Sequence, residues 1–262
     1  MQLSVIMTTY NRPDALRRVL EGLAGQTRLP DEVIIADDGS GPATRAAIKA
    51  FQNESPYALE HVWHTDRGFR AAAIRNKAIN RSRGDYLVCL DGDCIPDSHF
   101  IADHLKLAQH GCFLQGKRIL IAKQQAAIFS FREIATPLRK LKWLLQSGIG
   151  NRHHLIRLPF FPAFRSRSLS GIRSCNMGFF RDDIYAVNGF NEDFEGWGRE
   201  DSELAVRFFN YGLQRKSHAF AAICFHLWHA ENDRTRLGGN DALLAQMRAG
   251  QTYTCARGLS GN

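Results

Sequence analysis

The stretch Leu3-Ser4-Val5-Ile6-Met7-Thr8-Thr9 decides the fold class of this 262-residue chain. It is an apolar run of strand length, which predicts a buried strand. Pro13 then stands at the start of segment 14–23, where leucine and valine recur at helical spacing and share one face. A second short apolar run, 32–36, comes next. A strand, a helix and a strand in this order predict an α/β fold, a parallel sheet wound with crossover helices.

The same alternation continues along most of the chain. After residue 36 we predict helices over 44–51, 69–81, 97–110, 137–146, 201–211 and 241–248, and strands over 59–63, 85–90, 111–115 and 219–225. Hydrophobic residues make up 44% of the chain and charged residues 23%, which excludes a disordered, collagen-like or coiled-coil protein. We predict a single domain over 1–262, in which a basic insertion (117–173) separates the parts 1–116 and 174–262.

The chain carries no signal-peptide pattern and no apolar run of about 18 residues, the length that a transmembrane helix needs. Its six cysteines are widely scattered and form no C-x-x-C pair. A chain of this size has no need of disulfides for a stable core, so we expect free thiols. We therefore expect a cytoplasmic protein.

Positive charge is concentrated in one part of the chain. Between Lys117 and Cys175 there are twelve Lys and Arg residues and one acid, Glu133, which gives this window +11 against +8 for the whole chain. The window also contains bulky apolar residues, and this mixture suits an anionic membrane surface or an anionic lipid-linked substrate. A solvated basic face over an ordinary core and a nucleic-acid site are the alternatives.

Acidic and imidazole side chains follow several of the predicted strands. In a wound parallel sheet, ligands bind beyond the carboxyl ends of the strands. Asp91 and Asp93 form a turn there that could hold a divalent ion, and His226 and His229 add imidazoles that suit Mn²⁺ as well as Mg²⁺. The alternatives are an ordinary Asp-Gly turn and histidines satisfied within the core.

Two further segments offer polar groups for a nucleotide and a sugar. Asp38 could accept hydrogen bonds from a base or a ribose, although a turn with a helix N-cap explains it equally. Glu200 and Asp201 begin a predicted helix, where they either stabilise its N-terminus or supply a general base beside the apolar face of Trp197. Of the nearby cations, Arg70 or Arg75 could meet a pyrophosphate.

Five motifs in a fixed order resemble those of family 2 glycosyltransferases of the GT-A fold. They are Ser4-Val5-Ile6-Met7-Thr8-Thr9-Tyr10-Asn11, Asp37-Asp38-Gly39-Ser40, Gly68-Phe69-Arg70 with Arg75-Asn76, Leu90-Asp91-Gly92-Asp93 and Gly196-Trp197-Gly198-Arg199-Glu200-Asp201. The last is also similar to β-1,4-galactosyltransferases and chondroitin-polymerase-type enzymes. The resemblance covers about residues 3–100 and 174–230. It implies an inverting, metal-dependent transferase that uses a nucleotide-sugar donor, usually UDP-linked, in surface polysaccharide or lipopolysaccharide synthesis.

The resemblance also implies roles for individual residues. Asp93 is the expected direct ligand of Mn²⁺ or Mg²⁺, with His226 as the matching imidazole, His229 as the second choice and Asp91 as a further ligand. Asp201 matches the general base, and Glu200 and Trp197 are expected to contact the acceptor. The residues expected to bind the donor are Thr8, Tyr10, Arg12, Asp38, Arg70, Arg75, Asp91 and Trp197. Ser202 stands where the galactosyltransferase pattern usually continues with another acid.

Two other functions are considered. A nucleotidyltransferase would need a Gly-rich basic loop after the first strand, which segment 8–12 is not. A non-catalytic module that binds a membrane or nucleic acid through 117–173 would leave the ordered acidic motifs unexplained, and those acids would repel phosphates. We therefore expect a glycosyltransferase that acts on a glycan or lipid-linked glycan, sits on the inner face of the plasma membrane where it meets lipid, and binds no nucleic acid.

Overall fold

The computed structural model describes residues 1–231 and 233–261 and contains two sheets. The larger has eight strands in the order β3-β2-β1-β4-β10-β6-β11-β9. Its strands are β1 (Leu3–Thr9), β2 (Glu32–Asp37), β3 (Ala58–Trp63), β4 (Tyr86–Asp91), β6 (Cys112–Gln115), β9 (Phe164–Ser166), β10 (Asn176–Phe180) and β11 (Gln214–Ser217). β1 lies between β2 and β4 and pairs with both in parallel, and β2 pairs with β3 in parallel. The predicted wound, mostly parallel sheet is confirmed.

Beyond β4 the sheet becomes mixed. β10 runs antiparallel to both β4 and β6, and β11 runs parallel to β6. The sequence analysis did not predict β10 or β11, because each is a short strand whose apolar residues form neither a long run nor a clear alternation. β10 begins at Asn176, which pairs with Leu90 near the carboxyl end of β4.

A second sheet of four short strands stands beside the first, in the order β5-β12-β7-β8. Its strands are β5 (Cys94–Pro96), β7 (Lys117–Ile121), β8 (Ile149–Gly150) and β12 (Ile223–Leu227). The predicted last strand, 219–225, therefore lies two to four residues too early, and His226 belongs to β12 instead of following it. Because β7 pairs with β12 in parallel, the start of the predicted insertion is part of this sheet.

Helices cover both faces of the larger sheet. They are α1 (Pro13–Ala24), α2 (Pro42–Gln52), α3 (Ala71–Arg81), α4 (Phe100–Leu107), α5 (Lys123–Ala126), α6 (Pro137–Leu145), α7 (Arg181–Ala186), α8 (Glu200–Tyr211) and α9 (Leu237–Ala249). Short 3₁₀ helices lie at Phe131–Glu133, Arg152–Leu155 and Leu259–Gly261. One buried apolar cluster contains the inner face of α1 and another contains α3 and α8, so the sheet is packed on both sides. The predicted helix 97–110 is shorter at both ends than predicted.

The segment 117–173 is anchored to the rest of the domain by buried contacts. Phe129 and Trp143 pack edge to face in the same apolar cluster as α1. Lys140 pairs with the buried Asp97, and Arg157 forms two hydrogen bonds of 2.5 and 2.6 Å with the carboxylate of Asp103. Charge-assisted bidentate pairs of this kind are strong and fix geometry. The segment is therefore held in place on α4.

Candidate active site

A cavity of about 1140 Å³ opens where β1, β4 and β12 end. Twelve of the thirteen predicted site residues line it: Thr8, Tyr10, Arg12, Asp38, Arg75, Asp91, Asp93, Trp197, Glu200, Asp201, His226 and His229. Arg70 is not among the lining residues. The fold thus gathers residues that are up to about 220 positions apart in the sequence, at the edge where wound sheets bind ligands.

Three potential metal ligands converge in this cavity. Asp93, His226 and His229 each offer one ligand atom, and these atoms all lie within 4.8 Å of one another. His226 Nε2 is 3.8 Å from Asp93 Oδ1, and His229 Nε2 is 3.6 Å from Asp93 Oδ2. Burial is the main cause that lowers the pKa of His226. Its imidazole is therefore neutral near pH 7, the form that binds a metal, and one carboxylate with two imidazoles could hold a divalent metal ion.

Strand pairing places these ligands. Cys94 on β5 pairs with His226 on the antiparallel β12, and the backbone N–H of Leu227 donates to the Asp93 carbonyl at 2.9 Å. The turn between β4 and β5 is tied to β1, since Gly92 N–H donates to the Thr8 carbonyl at 2.7 Å. A Cβ at Gly92 would lie 3.0 Å from that carbonyl oxygen, so the close approach favours glycine.

Asp91 is not one of the three clustered ligands. Its carboxylate instead faces the buried Arg75, whose Nη2 lies 3.3 Å from Asp91 Oδ1. The same guanidinium donates to Glu200 Oε1 at 3.1 Å and to Thr8 Oγ1 at 3.1 Å. Arg75 thus joins the ends of β1 and β4 to the start of α8, so its described contacts are with protein groups and fix the cavity floor.

The carboxyl groups that flank Arg75 are strongly desolvated. Burial is the main cause that raises the pKa of Asp91, and the Arg75 charge opposes it. Burial likewise raises the pKa of Glu200, followed by the adjacent charge of Asp201, again against the effect of Arg75. Buried carboxyl groups with a shared cation are typical of functional sites.

Asp201 stands at the first turn of α8, facing the cavity. Its Oδ1 accepts hydrogen bonds from the Ser202 backbone N–H at 2.6 Å and from Ser202 Oγ at 3.2 Å. Ser202 stands where the galactosyltransferase pattern has another acid, and here its hydrogen bonds orient Asp201. The side chain of Asp201 is partly exposed and lines the cavity, so a molecule bound in the cavity can reach it.

The turn before α8 is built from left-handed residues. Gly196, Gly198 and Arg199 have φ values of 74°, 104° and 80°. Glycine adopts this conformation without a steric penalty, whereas arginine does so at a cost. Arg199 is held there by an ion pair of 2.5 Å with Asp241 on α9. Trp197, between the two glycines, presents one ring face to the guanidinium of Arg234 at 5.1 Å.

The cavity also contains residues predicted to bind a nucleoside. Asp38 Oδ1 lies 2.6 Å from His64 Nε2, and Asp38 Oδ2 accepts from the Arg70 backbone N–H at 2.8 Å. Tyr10 is half exposed and donates its hydroxyl proton to Asp66 at 2.9 Å. The side chain of Arg70 turns away from the cavity, because its guanidinium donates to the Thr65 carbonyl at 2.9 Å.

The lining residues that sequence reasoning missed include Arg118, Trp228 and Arg234. Trp228 lies between His226 and His229, and a single tryptophan there carries no strand or ligand pattern of its own. Arg118 is on β7, which was assigned to the insertion. The apolar run Ile119-Leu120-Ile121, directly after Arg118, is a strand pattern that could have revealed it.

These features define an α/β protein with a large cavity at the carboxyl edge of a wound sheet, where such folds bind ligands. Residues 4–173 match the model of the family described as glycosyl transferase family 2, and residues 160–230 match the one described as the N-terminal domain of galactosyltransferase. The chain belongs to glycosyl transferase family 2, as its motifs predicted. It is therefore an enzyme, a glycosyltransferase.

Similar proteins agree with this assignment. The chain is 30% identical over 267 residues to a hyaluronan synthase of Pasteurella multocida. The aligned region covers 96% of the chain and 27% of the synthase. Staphylococcus aureus TarS 1–349, solved in complex with UDP-GlcNAc, has a TM-score of 0.65 at 16% identity and covers 94% of the chain and 66% of TarS. The mannosyltransferase PcManGT of Pyrobaculum calidifontis, solved with GDP-Man and Mn²⁺, has a TM-score of 0.57 at 19% identity, with coverage of 86% and 56%.

Two facts set the scope of these likenesses. The chain spans about half the length, or less, of the first curated relatives it matches. In the described part of the chain, no helix has the length and apolar character needed to cross a bilayer.

Proposed function

We propose that this glycosyltransferase is inverting and metal-dependent, and that it moves a sugar from a nucleotide-sugar donor, UDP-linked above all, to a hydroxyl of a glycan or lipid-linked glycan. The observation that carries the proposal is the position of the Asp93–His226–His229 cluster in the same cavity as Asp201. The cluster suits a cation that would bind the donor diphosphate, and the separate carboxylate of Asp201 suits proton transfer. The similar structures that contain UDP-GlcNAc, or GDP-Man with Mn²⁺, support this donor chemistry.

The residues divide the reaction between them. Asp93, His226 and His229 would hold Mn²⁺ or Mg²⁺, which when bound neutralises the charge that develops on the leaving nucleoside diphosphate. Asp201 takes the proton from the acceptor hydroxyl as that oxygen forms its bond to the anomeric carbon. The bond from that carbon to the diphosphate oxygen breaks on the opposite face, so an α-linked donor gives a β-glycoside.

Other side chains position the substrates. Trp197 offers a ring face to a sugar, and its stacking with Arg234 keeps that face in place. Tyr10 and Asp38 stand where the nucleoside would lie. Arg75 keeps Glu200 and Asp91 together on the cavity floor, so that Glu200 is ready to accept a hydrogen bond from a sugar hydroxyl.

A thermal-shift panel of nucleotide sugars with and without Mn²⁺ tests the proposal. We expect UDP and one or more UDP-sugars to raise the melting temperature, and to do so more strongly when Mn²⁺ is present, because a ligand that binds only the folded state stabilises it. Equal melting temperatures with every nucleotide sugar, with and without the ion, would contradict the donor assignment.

We further propose that the segment 117–173 docks the enzyme on an anionic membrane surface that presents a lipid-linked acceptor. The helix α6 carries the argument. Leu138, Leu141 and Leu145 are 77%, 53% and 83% exposed, and at about 100° per residue they share one outward stripe. The other side of α6 is fixed by Trp143, which is 3% exposed, and by Lys140.

Charge accompanies this leucine stripe. Arg139 and Lys142 are exposed on the flanks of α6, within a segment that carries one acid. Leucines that enter the lipid boundary and cations that meet anionic headgroups are the two components of interfacial binding. Gly148 and Ile149, a few residues after α6, line the cavity, so a docked α6 places the cavity wall at the membrane.

Vesicle co-sedimentation measures this docking. Replacement of Leu138, Leu141 and Leu145 by Gln should weaken binding to anionic vesicles by at least about a hundredfold, since each leucine contributes about 1.5–3 kcal/mol when removed from water. Lys142→Gln should weaken binding and Lys49→Gln, an exposed cation on α2, should not. A wild-type protein without preference for anionic over neutral vesicles at moderate salt would rule the docking out.

A further inference from the structure

The arginines that line the cavity differ in whether they form an ion pair with a carboxylate. Six arginines line it in the described part of the chain. Four of them are in ion pairs: Arg12 with Asp93, Arg75 with Asp91 and Glu200, Arg199 with Asp241 and Arg234 with Glu231. Arg118 and Arg173 form no ion pair with a carboxylate among the described residues, so neither charge is neutralised by direct contact.

Arg173 is exposed, and its guanidinium donates to the neighbouring carbonyl of Ile172. Arg118 differs because it is half-buried. The neighbour that its guanidinium reaches is the thiol of Cys175, which is a weak acceptor and carries no formal charge as a thiol. A partly desolvated guanidinium without an anion is unfavourable, so an anionic ligand at Arg118 would relieve this cost.

Successive residues of β7 and β12 face opposite sides of the second sheet, and this fixes the side to which Arg118 points. Ile119 and Ile121 on β7 and Phe225 on β12 are buried in the apolar cluster that contains α1. Arg118 and His226 alternate with them, line the cavity and so occupy the other face of the second sheet. Arg118 therefore shares a sheet face with one of the three clustered ligands.

Electrostatics agree with this placement. The pKa of His226 is lowered by burial first, and the Arg118 charge lowers it further. The pKa of Asp91 is raised by burial, and the Arg118 charge is one of the influences that oppose this rise. Arg118 is thus close enough to act on both sides of the reaction centre, the cluster at Asp93 and the carboxyl end of β4.

We propose that Arg118 is a substrate-binding residue that holds an oxyanion, a phosphate or a carboxylate, of a substrate in the cavity. The proposal rests on the proposed function. The oxyanion has two possible sources: the diphosphate of the donor, or an acidic group on the sugar that is transferred or accepted. A guanidinium recognises either one through paired hydrogen bonds. Loss of such a charged contact changes the affinity about ten- to a hundredfold.

Calorimetry with Mn²⁺ present separates the two sources. The probes are UDP, uridine, inorganic phosphate, glucuronate and glucose, and the variants are Arg118→Gln and Arg118→Lys, with Arg152→Gln as an exposed control from the same segment. If the donor supplies the oxyanion, Arg118→Gln weakens UDP about tenfold or more and leaves uridine unchanged. If an acidic sugar supplies the oxyanion, Arg118→Gln leaves the affinity for UDP unchanged. The UDP-loaded Arg118→Gln protein then loses binding of glucuronate or phosphate, and Arg118→Lys recovers part of it.

One result overturns the proposal. If Arg118→Gln matches the wild type and Arg152→Gln with every probe, Arg118 holds no oxyanion. Equal unfolding temperatures of the variants exclude a folding defect as the cause of any loss. A wild type that binds no UDP would contradict the proposed function and remove the donor as a source, and the phosphate and glucuronate measurements would then decide the role of Arg118 alone.

Discussion

Asp201→Asn is expected to abolish most sugar transfer while UDP and Mn²⁺ still bind. The amide keeps the size of the side chain and can still accept from Ser202, so α8 and the cavity wall keep their geometry. It cannot take a proton from the acceptor hydroxyl. A general base contributes about 10²–10⁴-fold to the rate, and we expect kcat to fall by that amount.

The measurement is kcat for transfer together with calorimetric binding of UDP in the presence of Mn²⁺. Asp182→Asn is a suitable control, because Asp182 is an exposed acid on α7 that does not line the cavity. Near wild-type turnover in Asp201→Asn would show that another group is the base. Loss of UDP binding together with turnover would show that Asp201 acts in donor binding instead.

The neighbouring acid gives a second way to recognise the base. Glu200 is tied to Arg75 at 3.1 Å, and burial followed by the charge of Asp201 raises its pKa. Glu200→Gln removes the charge that pairs with Arg75 but keeps an amide oxygen that can accept from it, so this change should disturb sugar positioning, and its effect should appear in KM as well as in kcat. The two substitutions at adjacent positions therefore distinguish proton transfer from positioning.

The part of the fold that the sequence predicted is the part where local pattern and tertiary structure agree. β1, β2 and β4 are buried on both faces, so each is a short apolar run, and α1 shows its buried stripe directly. β5, β8 and β10 lack such a signal, because strands of two to five residues contain too few positions for a period. Their pairing is set by residues far away in the chain.

The candidate site shows the same contrast. Acids and imidazoles at strand ends could be predicted, since the carboxyl edge of a wound sheet collects ligand-binding residues. Which arginine enters the cavity could not, because α3 begins at Ala71. Arg70 lies before the first turn and bonds to Thr65, whereas Arg75 lies inside the helix and reaches Asp91. The placement depends on where the helix begins, which spacing alone does not fix.

Asp93→Ala should remove the effect of Mn²⁺ on UDP binding. Asp93 supplies the carboxylate of the three-ligand cluster, and His226 and His229 alone leave two imidazole nitrogens. Loss of a supporting residue around a metal typically costs 10–100-fold in affinity, so loss of a direct ligand should cost about a hundredfold or more. The substitution also frees Arg12, whose Nη1 is 2.6 Å from Asp93 Oδ2, and a freed guanidinium can bind phosphate without a metal.

The decisive quantity is therefore the ratio of UDP affinities with and without Mn²⁺, measured by calorimetry for the wild type and the variant. The wild type should give a ratio well above one, and Asp93→Ala a ratio near one even where Arg12 preserves some UDP binding. Asp182→Ala should keep the wild-type ratio because it leaves the cluster intact. An unchanged ratio in Asp93→Ala would exclude Asp93 as a ligand, and with it the assignment of His226 and His229, since the cluster is defined by their shared approach to that carboxylate.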